Sequence, residues 1–130
     1  MELIVAKEEF SDTQKLKSKI NYYEWVDFID NNKYYFTWLE ESTKGKNLID
    51  NFDKIPEDFR NGIMKQLNKG QAFAEYNDKK DWYEMVIDYN PEYGFVRITL
   101  MKRINKKILE KLLEMTKCLD GYLLKNGKKF

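Results

Sequence analysis

Two glutamates are the residues of this 130-residue chain whose types and spacing best suit chemistry. Glu75 and Glu84 lie in two runs of strand-forming residues, and the turn-forming residues 78–81 separate those runs. A hairpin with a loop of that length sets Glu75 directly opposite Glu84, with roughly 5 Å between the two Cβ atoms. Like charges that close are unfavourable, so the pair suits either a bound divalent cation or an acid–base pair whose pKa values move apart.

A simpler interpretation of the same pair needs no chemistry. A lysine that reaches over the two carboxylates would compensate them, and a loop of different length would keep them from meeting. We favour this interpretation and assign no metal ion and no cofactor to the chain. Glu75 and Glu84 stay the only candidate metal ligands, and a carboxylate-dependent hydrolase is the enzyme that they would support.

The residue types that are missing argue against most other enzymes. The chain has no histidine, which excludes histidine bases, histidine metal sites and imidazole catalysis. It has one cysteine, Cys118, and one thiol cannot form a zinc site. Neither a G-x-S-x-G nor a G-x-G-x-x-G motif is present. We therefore lean against an enzyme.

Three consecutive strand-like runs hold the two glutamates in place. The runs cover residues 71–77, 82–90 and 95–101, and the loops 78–81 and 91–94 have hairpin length. They predict an antiparallel meander with an apolar core face and a mixed second face. The core face collects Ala72, Ala74, Tyr76, Tyr83, Met85, Ile87, Val96, Ile98 and Leu100. The second face collects Phe73, Glu75, Trp82, Glu84, Val86, Asp88, Arg97 and Thr99.

Further elements are expected on both sides of this meander. Apolar alternation predicts strands over 2–7 and 34–40, the second of them in the interior of the sheet. Helical periodicity predicts helices over 21–31, 56–69 and 104–124, of which the last is the longest. Gly45 indicates a turn over 43–46, whereas residues 12–20 and 47–55 fit either a helix or a strand.

These elements together predict one α+β domain over residues 1–130. An antiparallel sheet, made of the meander and one or two further strands, is packed by two or three helices that include the long C-terminal one. The length suits one hydrophobic core, and no linker-like stretch or internal repeat divides the chain.

Aromatic side chains are the main candidates for recognition. Most of the tyrosines, tryptophans and phenylalanines between residues 22 and 38 have core spacing, but one helical stripe cannot hold both Tyr22 and Tyr23. Exposed tyrosine and tryptophan are favoured anchors at protein interfaces. With the polar residues of the second sheet face, the predicted interaction residues are Tyr23, Tyr35, Trp82, Asp88 and Arg97.

The charge of the chain is divided unevenly. Residues 102–130 carry nine Lys/Arg and three Asp/Glu, a net charge of +6, whereas residues 1–101 carry a net charge of −5. A basic C-terminal helix suits a nucleic-acid surface, but lysines opposite an apolar stripe are also typical of any solvated amphipathic helix. Arginine, which base readout prefers, occurs only three times, so sequence-specific DNA binding is disfavoured.

The location of the protein follows from its thiol and its hydropathy. One cysteine gives no internal disulfide, and the apolar run Leu3 to Ala6 is too short for a signal-peptide core. We expect a cytoplasmic protein without a membrane association. The frequent lysine, asparagine, isoleucine and tyrosine are typical of an AT-rich genome, such as that of a low-GC bacterium or its phage.

The sequence alone does not name a function. We expect a small noncatalytic binding protein of an accessory, regulatory or inhibitor-like kind, whose partner is another protein or a second copy of the chain. A nucleic-acid-associated protein that uses the basic helix is the first alternative, and the carboxylate-dependent hydrolase is the second.

Overall fold

A computed structural model describes residues 1–130 and has at its centre a seven-stranded antiparallel sheet. The strands are β1 (Glu2–Ala6), β2 (Thr37–Trp38), β3 (Gln71–Asn77), β4 (Trp82–Asn90), β5 (Phe95–Leu100), β6 (Tyr122–Lys125) and β7 (Lys128–Lys129). Their order across the sheet is β2-β3-β4-β5-β1-β6-β7. The helices are α1 (Tyr22–Asp30), α2 (Thr43–Asp50), α3 (Glu57–Leu67) and α4 (Lys106–Cys118). The predicted α+β class and the predicted meander are confirmed.

The register of the meander follows from its two loops. Ala72 pairs with Ile87, and Ile87 pairs with Ile98, as hairpins with four-residue loops require. These three side chains are buried together with those of α1 and α4 in a core of twenty residues. A second, smaller cluster lies on the other face of the sheet and contains Ile4, Ala6, Phe95 and Leu124.

The alternation of side chains along β3 breaks at Glu75, which the sequence pattern does not predict. Glu75 has a φ of 59°, and the ladder contains the pairs on both sides of Glu75 and Glu84 but not that pair. Tyr76 and Tyr83 were expected on the core face, but Tyr76 is exposed and Tyr83 stacks on Phe73 at 5.2 Å. The left-handed residue breaks the two-residue period beyond Ala74, so the tip of the hairpin leaves the core.

The C-terminal helix is shorter than its periodicity predicts. Ile108, Leu112, Met115 and Leu119 are buried as expected, but α4 ends at Cys118 and residues 122–125 form β6. Asp120 has a φ of 51°, which turns the chain out of the helix.

Strands β6 and β7 form the C-terminal hairpin that replaces the last turns of the predicted helix. Asn126 and Gly127, with φ values of 52° and 80°, form the turn between them. The prediction of a helix over 104–124 is therefore wrong beyond residue 118.

Two predictions between residues 34 and 46 are also wrong. The strand expected over 34–40 in the sheet interior is the two-residue β2 at the sheet edge, and a 3₁₀ turn (Leu39–Glu41) follows it. The expected turn over 43–46 is the first part of α2. Ser42 caps the start of this helix, because its hydroxyl accepts a hydrogen bond from the backbone N–H of Gly45 at 3.1 Å.

Helices α1 and α3 confirm the remaining helix predictions, but only α1 contributes to the core. Trp25, Phe28 and Ile29 of α1 are buried, and Asn21 caps the helix by accepting the backbone N–H of Glu24. No residue of α3 is buried, and the side chain of Phe59 is 64% exposed. Helix α3 therefore lies on the periphery with part of its apolar stripe in solvent.

The two segments that fitted either a helix or a strand are mostly turns. Residues 12–20 contain one 3₁₀ turn (Thr13–Lys15), which Asp12 caps, and residues 47–55 contain the end of α2 and a 3₁₀ turn (Phe52–Lys54). None of the helices is both long and apolar enough to cross a bilayer.

Candidate functional site

A cleft of about 640 Å³ opens between the start of α1, the end of α3 and the end of β4. Asp88 and Arg97 form its charged wall, and Tyr22, Tyr23 and Tyr89 supply aromatic rings. The polar residues at the end of α3 that also line it are Lys65, Gln66 and Asn68. The cleft has the size of a small-ligand or side-chain pocket, with polar and aromatic groups together.

Hydrogen bonds fix two of the three tyrosines in the aromatic wall, and the ring of the third is exposed. The hydroxyl of Tyr22 donates to the carbonyl of Lys69 at 2.9 Å, and the hydroxyl of Tyr89 donates to the carbonyl of Ile20 at 2.6 Å. The Tyr22 ring meets the rings of Tyr23 and Tyr89 edge to face, at 5.3 Å and 5.2 Å. Tyr23 is 74% exposed, so its ring is available to a ligand.

Asp88 and Arg97, which form the charged wall of the cleft, differ in whether they take part in an ion pair. Asp88 lies opposite Arg97 in the β4–β5 ladder, but Arg97 Nε lies 3.8 Å from the carboxylate of Glu2. The buried Nε of Arg97 makes no hydrogen bond. None of the six ion pairs in the molecule includes Asp88.

The surroundings of Asp88 penalise its negative charge. Burial raises the pKa of this carboxyl and nearby Glu2 raises it further, whereas Arg97 and Gln71 only partly oppose the shift. An acid whose pKa burial raises inside a cleft is typical of functional sites, although structural networks also produce such shifts.

Known proteins offer no guide to this cleft. No protein-family model, curated protein or solved structure matches the chain. The function has to be inferred from the residues themselves.

Three of the five predicted interaction residues meet in the cleft. Tyr23, Asp88 and Arg97 come from separate segments and line it together, whereas Tyr35 and Trp82 do not. Trp82 is exposed at the start of β4, where Lys80 Nζ lies 5.4 Å from its ring centroid. Tyr35 is half-buried between α1 and β2, and Lys107 Nζ lies 5.6 Å from its ring centroid.

Glu75 and Glu84, the candidate metal ligands, have different partners. The Glu75 side chain, 10% exposed, accepts a hydrogen bond from Lys102 Nζ at 3.2 Å, and the buried Glu84 accepts one from the side-chain amide of Asn77. No group of three or more acidic or cysteine side chains is arranged to hold a metal ion. A divalent-cation site at the pair stays a prediction, which titration with Mg²⁺, Mn²⁺ and Ca²⁺ tests.

The network around Glu75 explains how its charge is accommodated. Burial alone would raise the pKa of Glu75, but the Tyr35 hydroxyl and the Lys102 ammonium lower it below its usual value. Burial and the charge of Glu75 in turn raise the pKa of Tyr35, whose buried hydroxyl lacks a hydrogen bond of good geometry. The lysine that reaches over is thus present at Glu75.

Several lysines of the basic C-terminal segment are engaged within the molecule. Lys111 Nζ contacts Asn32 Oδ1 and Glu114 Oε2, both at 3.0 Å, and its side chain is 11% exposed. Lys102 is paired with Glu75, and Lys106 lies 3.9 Å from Glu110. These pairings reduce the positive charge that α4 presents to a phosphate backbone.

A second depression, lined mostly by apolar side chains, borders α3. This groove of about 440 Å³ lies between α3 and the segment 49–52 and is lined by Ile49, Phe52, Met64, Leu67 and Asn68. Ile49 and Met64 are each more than half exposed. Asn68 lines both the groove and the cleft, so the end of α3 separates an apolar site from a polar one.

Sequence reasoning missed the other residues that line the cleft, which are Tyr22, Lys65, Gln66, Asn68, Gly70, Tyr89, Asn90 and Pro91. A usable signal existed for Asn90, because it ends β4 two residues after Asp88 on the expected register. The three residues of the α3 end gave no such signal, since their place depends on how an exposed helix lies against the sheet.

Proposed function

We propose that this chain is a noncatalytic binding protein that docks a segment of another protein against the end of α3. The observation that carries the proposal is the convergence of the exposed Tyr23, the underpaired Asp88 and Arg97 in one cleft. Tyrosine and arginine are the residue types enriched among interface anchors.

The apolar groove on the other side of α3 supports a protein partner rather than a small metabolite. Ile49 and Met64, which line this groove, are 51% and 55% exposed, so their apolar side chains are available to a partner. Clustered exposed apolar side chains beside a polar rim are typical of interaction sites. A segment that places an apolar side chain in the groove and a polar one in the cleft would use both features.

The experiment that tests this proposal is photo-crosslinking in cells of the organism that produces the protein. A benzoylphenylalanine at position 23 reports on the cleft, and the same residue at position 122, an exposed tyrosine of β6, is the matched control. We expect one protein to be crosslinked from position 23 and not from position 122. Asp88→Lys should abolish that crosslink, because it removes the underpaired carboxylate and reverses its charge.

Two results would contradict the proposal. Equal crosslinking from positions 23 and 122 would mean that the cleft has no preferred protein partner. A crosslink only to a second copy of the chain, with a matching dimer in analytical ultracentrifugation, would replace the partner protein with self-association.

A further inference from the structure

Asp88 is a half-buried carboxylate to which the protein supplies no paired cation. Its ladder partner Arg97 is shared with Glu2, which lies 3.8 Å from Arg97 Nε. Around this guanidinium two carboxylates thus compete for one positive charge. Because the Asp88 carboxylate forms no ion pair within the protein, a positive group of a ligand would pair with it and stabilise its charge.

The other walls of the cleft also favour a positive group at this point. The end of α3 reaches the cleft through Gln66 and Asn68, and the carboxyl end of a helix carries the negative end of its dipole. The exposed ring of Tyr23 offers a π-face, which attracts cations, above a cleft that excludes part of the solvent. The end of α3, the Tyr23 ring and the Asp88 carboxylate thus favour a cation, whereas the start of α1, at Tyr22, presents the positive end of its dipole and opposes one.

Lys65 and Arg97 are the cationic side chains of the cleft, and both act against a bound cation. Arg97 Nε lies 3.8 Å from the carboxylate of Glu2, which offsets part of its charge, whereas Lys65 lines the opening on α3 and takes part in no ion pair. Its side chain is exposed, so solvent screens its charge more than that of the half-buried Asp88. The balance of Asp88 against Lys65 and Arg97 decides whether the cleft takes a cation or an anion.

We propose that the cleft binds the guanidinium of an arginine side chain of the partner protein, which pairs with Asp88 and stacks on Tyr23. This inference rests on the proposed function, since it names the chemistry of the partner at the same site. A planar guanidinium fits better than an ammonium, because it can donate two parallel hydrogen bonds to one carboxylate and stack on an aromatic ring.

The test uses the intact chain and small probes that carry one side chain each. N-acetyl-arginine methylamide is titrated into ¹⁵N-labelled protein, beside the neutral isostere N-acetyl-citrulline methylamide and the anionic N-acetyl-glutamate methylamide. We expect the arginine probe to shift the amides of Tyr22, Tyr23, Asp88 and Asn90. The citrulline probe should bind about tenfold more weakly, because it cannot form the charge-assisted pair.

Variants then separate the carboxylate from the ring. Asp88→Asn should weaken the arginine probe about tenfold, and Tyr23→Leu should weaken it about threefold. Asp78→Asn, which removes an exposed carboxylate from the β3–β4 loop, is the matched control and should leave the affinity unchanged.

Each contrary outcome has a distinct meaning. Binding of the glutamate probe instead of the arginine probe overturns the proposal and assigns the cleft to anions held by Arg97 and Lys65. Equal binding of arginine to the Asp88→Asn variant also overturns it. If the arginine probe fails while the crosslink from position 23 persists, the protein partner stands and only its arginine is excluded. If the probe binds and no protein is crosslinked, the proposed function fails instead.

Discussion

Asp88 lies directly across the β4–β5 ladder from Arg97, yet the nearest ion pair of Arg97 is with Glu2 rather than with Asp88. A carboxylate in this position weakens the fold at neutral pH, because burial disfavours its charged form and no cation fully compensates it. Side chains that lower the stability of the free protein are typical of binding sites, where a ligand supplies the missing partner.

Replacing Asp88 by asparagine should therefore stabilise the protein at pH 7. The amide keeps the shape and removes the charge, and we expect the free energy of unfolding to rise by about 1 kcal/mol in urea titrations. Asp78→Asn is the control, since its carboxylate is exposed and its removal should change little. A loss of stability in Asp88→Asn would show that the charge itself supports the fold.

The same substitution has a defined pH dependence. The charged neighbours of Asp88 are Arg97 on β5, Glu2 on β1 and Lys65 on α3, with the polar Gln71 on β3, and the net effect raises its pKa above the usual 3.8. A raised pKa of an acid costs stability above the folded-state pKa, and this cost disappears as the pH falls below 3.8. The stability difference between Asp88→Asn and the wild type should vanish in that range.

Glu75 should show the opposite behaviour, because its pKa is lowered rather than raised. Glu75→Gln removes the charge that faces Lys102 at 3.2 Å, and we expect it to reduce the unfolding free energy at pH 7 by about 1 kcal/mol. A lowered pKa contributes stability above 4.5, the usual value, and this contribution is lost as the pH falls through the folded-state pKa. The two proteins should therefore converge at acidic pH.

The control for this prediction is a glutamate in an exposed ion pair. Glu110 lies 3.9 Å from Lys106 on the solvent side of α4, so Glu110→Gln should change stability by less than about 0.5 kcal/mol at either pH. An equal effect of both substitutions would indicate that Glu75 acts only through the net charge of the protein.

The meander could be predicted because residues close together in the sequence determine its strands and loops. Two loops of hairpin length fix the register, and the register places Asp88 and Arg97 on one face and opposite each other. Tyr23 followed from the limit of one helical stripe. These three residues, the part of the cleft that lies on well-defined elements, were within reach of the sequence.

The rest depends on contacts between distant segments. Leu119 and Tyr122 continue the helical period of α4, but residues 122–124 pair with β1, where Tyr122 lies opposite Ala6, and this pairing makes the segment a strand. Glu75 alternates like its neighbours, and glutamate is not a residue type that signals the left-handed backbone it adopts, with a φ of 59°. Lys65 reaches the cleft because the end of α3 lies near the start of α1 and the end of β4, which no local pattern encodes.

Gly45 and Gly62 should respond in opposite directions to the same substitution. A Cβ at Gly45 would lie 1.7 Å from the carbonyl oxygen of Leu39, so Gly45→Ala should separate α2 from the preceding turn and destabilise the fold by about 2 kcal/mol or more. A Cβ at Gly62, within α3, meets no atom within 4 Å, and Gly62→Ala should stabilise by about 0.5–1 kcal/mol. Thermal unfolding of both variants measures the contrast.

Met64 tests whether the apolar side of α3 serves the fold or the partner. Its side chain is 55% exposed and lines the groove beside Ile49, so Met64→Gln should change the unfolding free energy by less than about 0.5 kcal/mol. The same substitution should reduce the crosslink from position 23 several-fold, because a segment that fills the cleft also crosses the end of α3. Leu113→Gln, at an exposed leucine of α4, controls for a general loss of apolar surface. If Met64→Gln destabilises the protein and leaves the crosslink intact, the groove supports packing of α3, and the partner docks through the polar cleft alone.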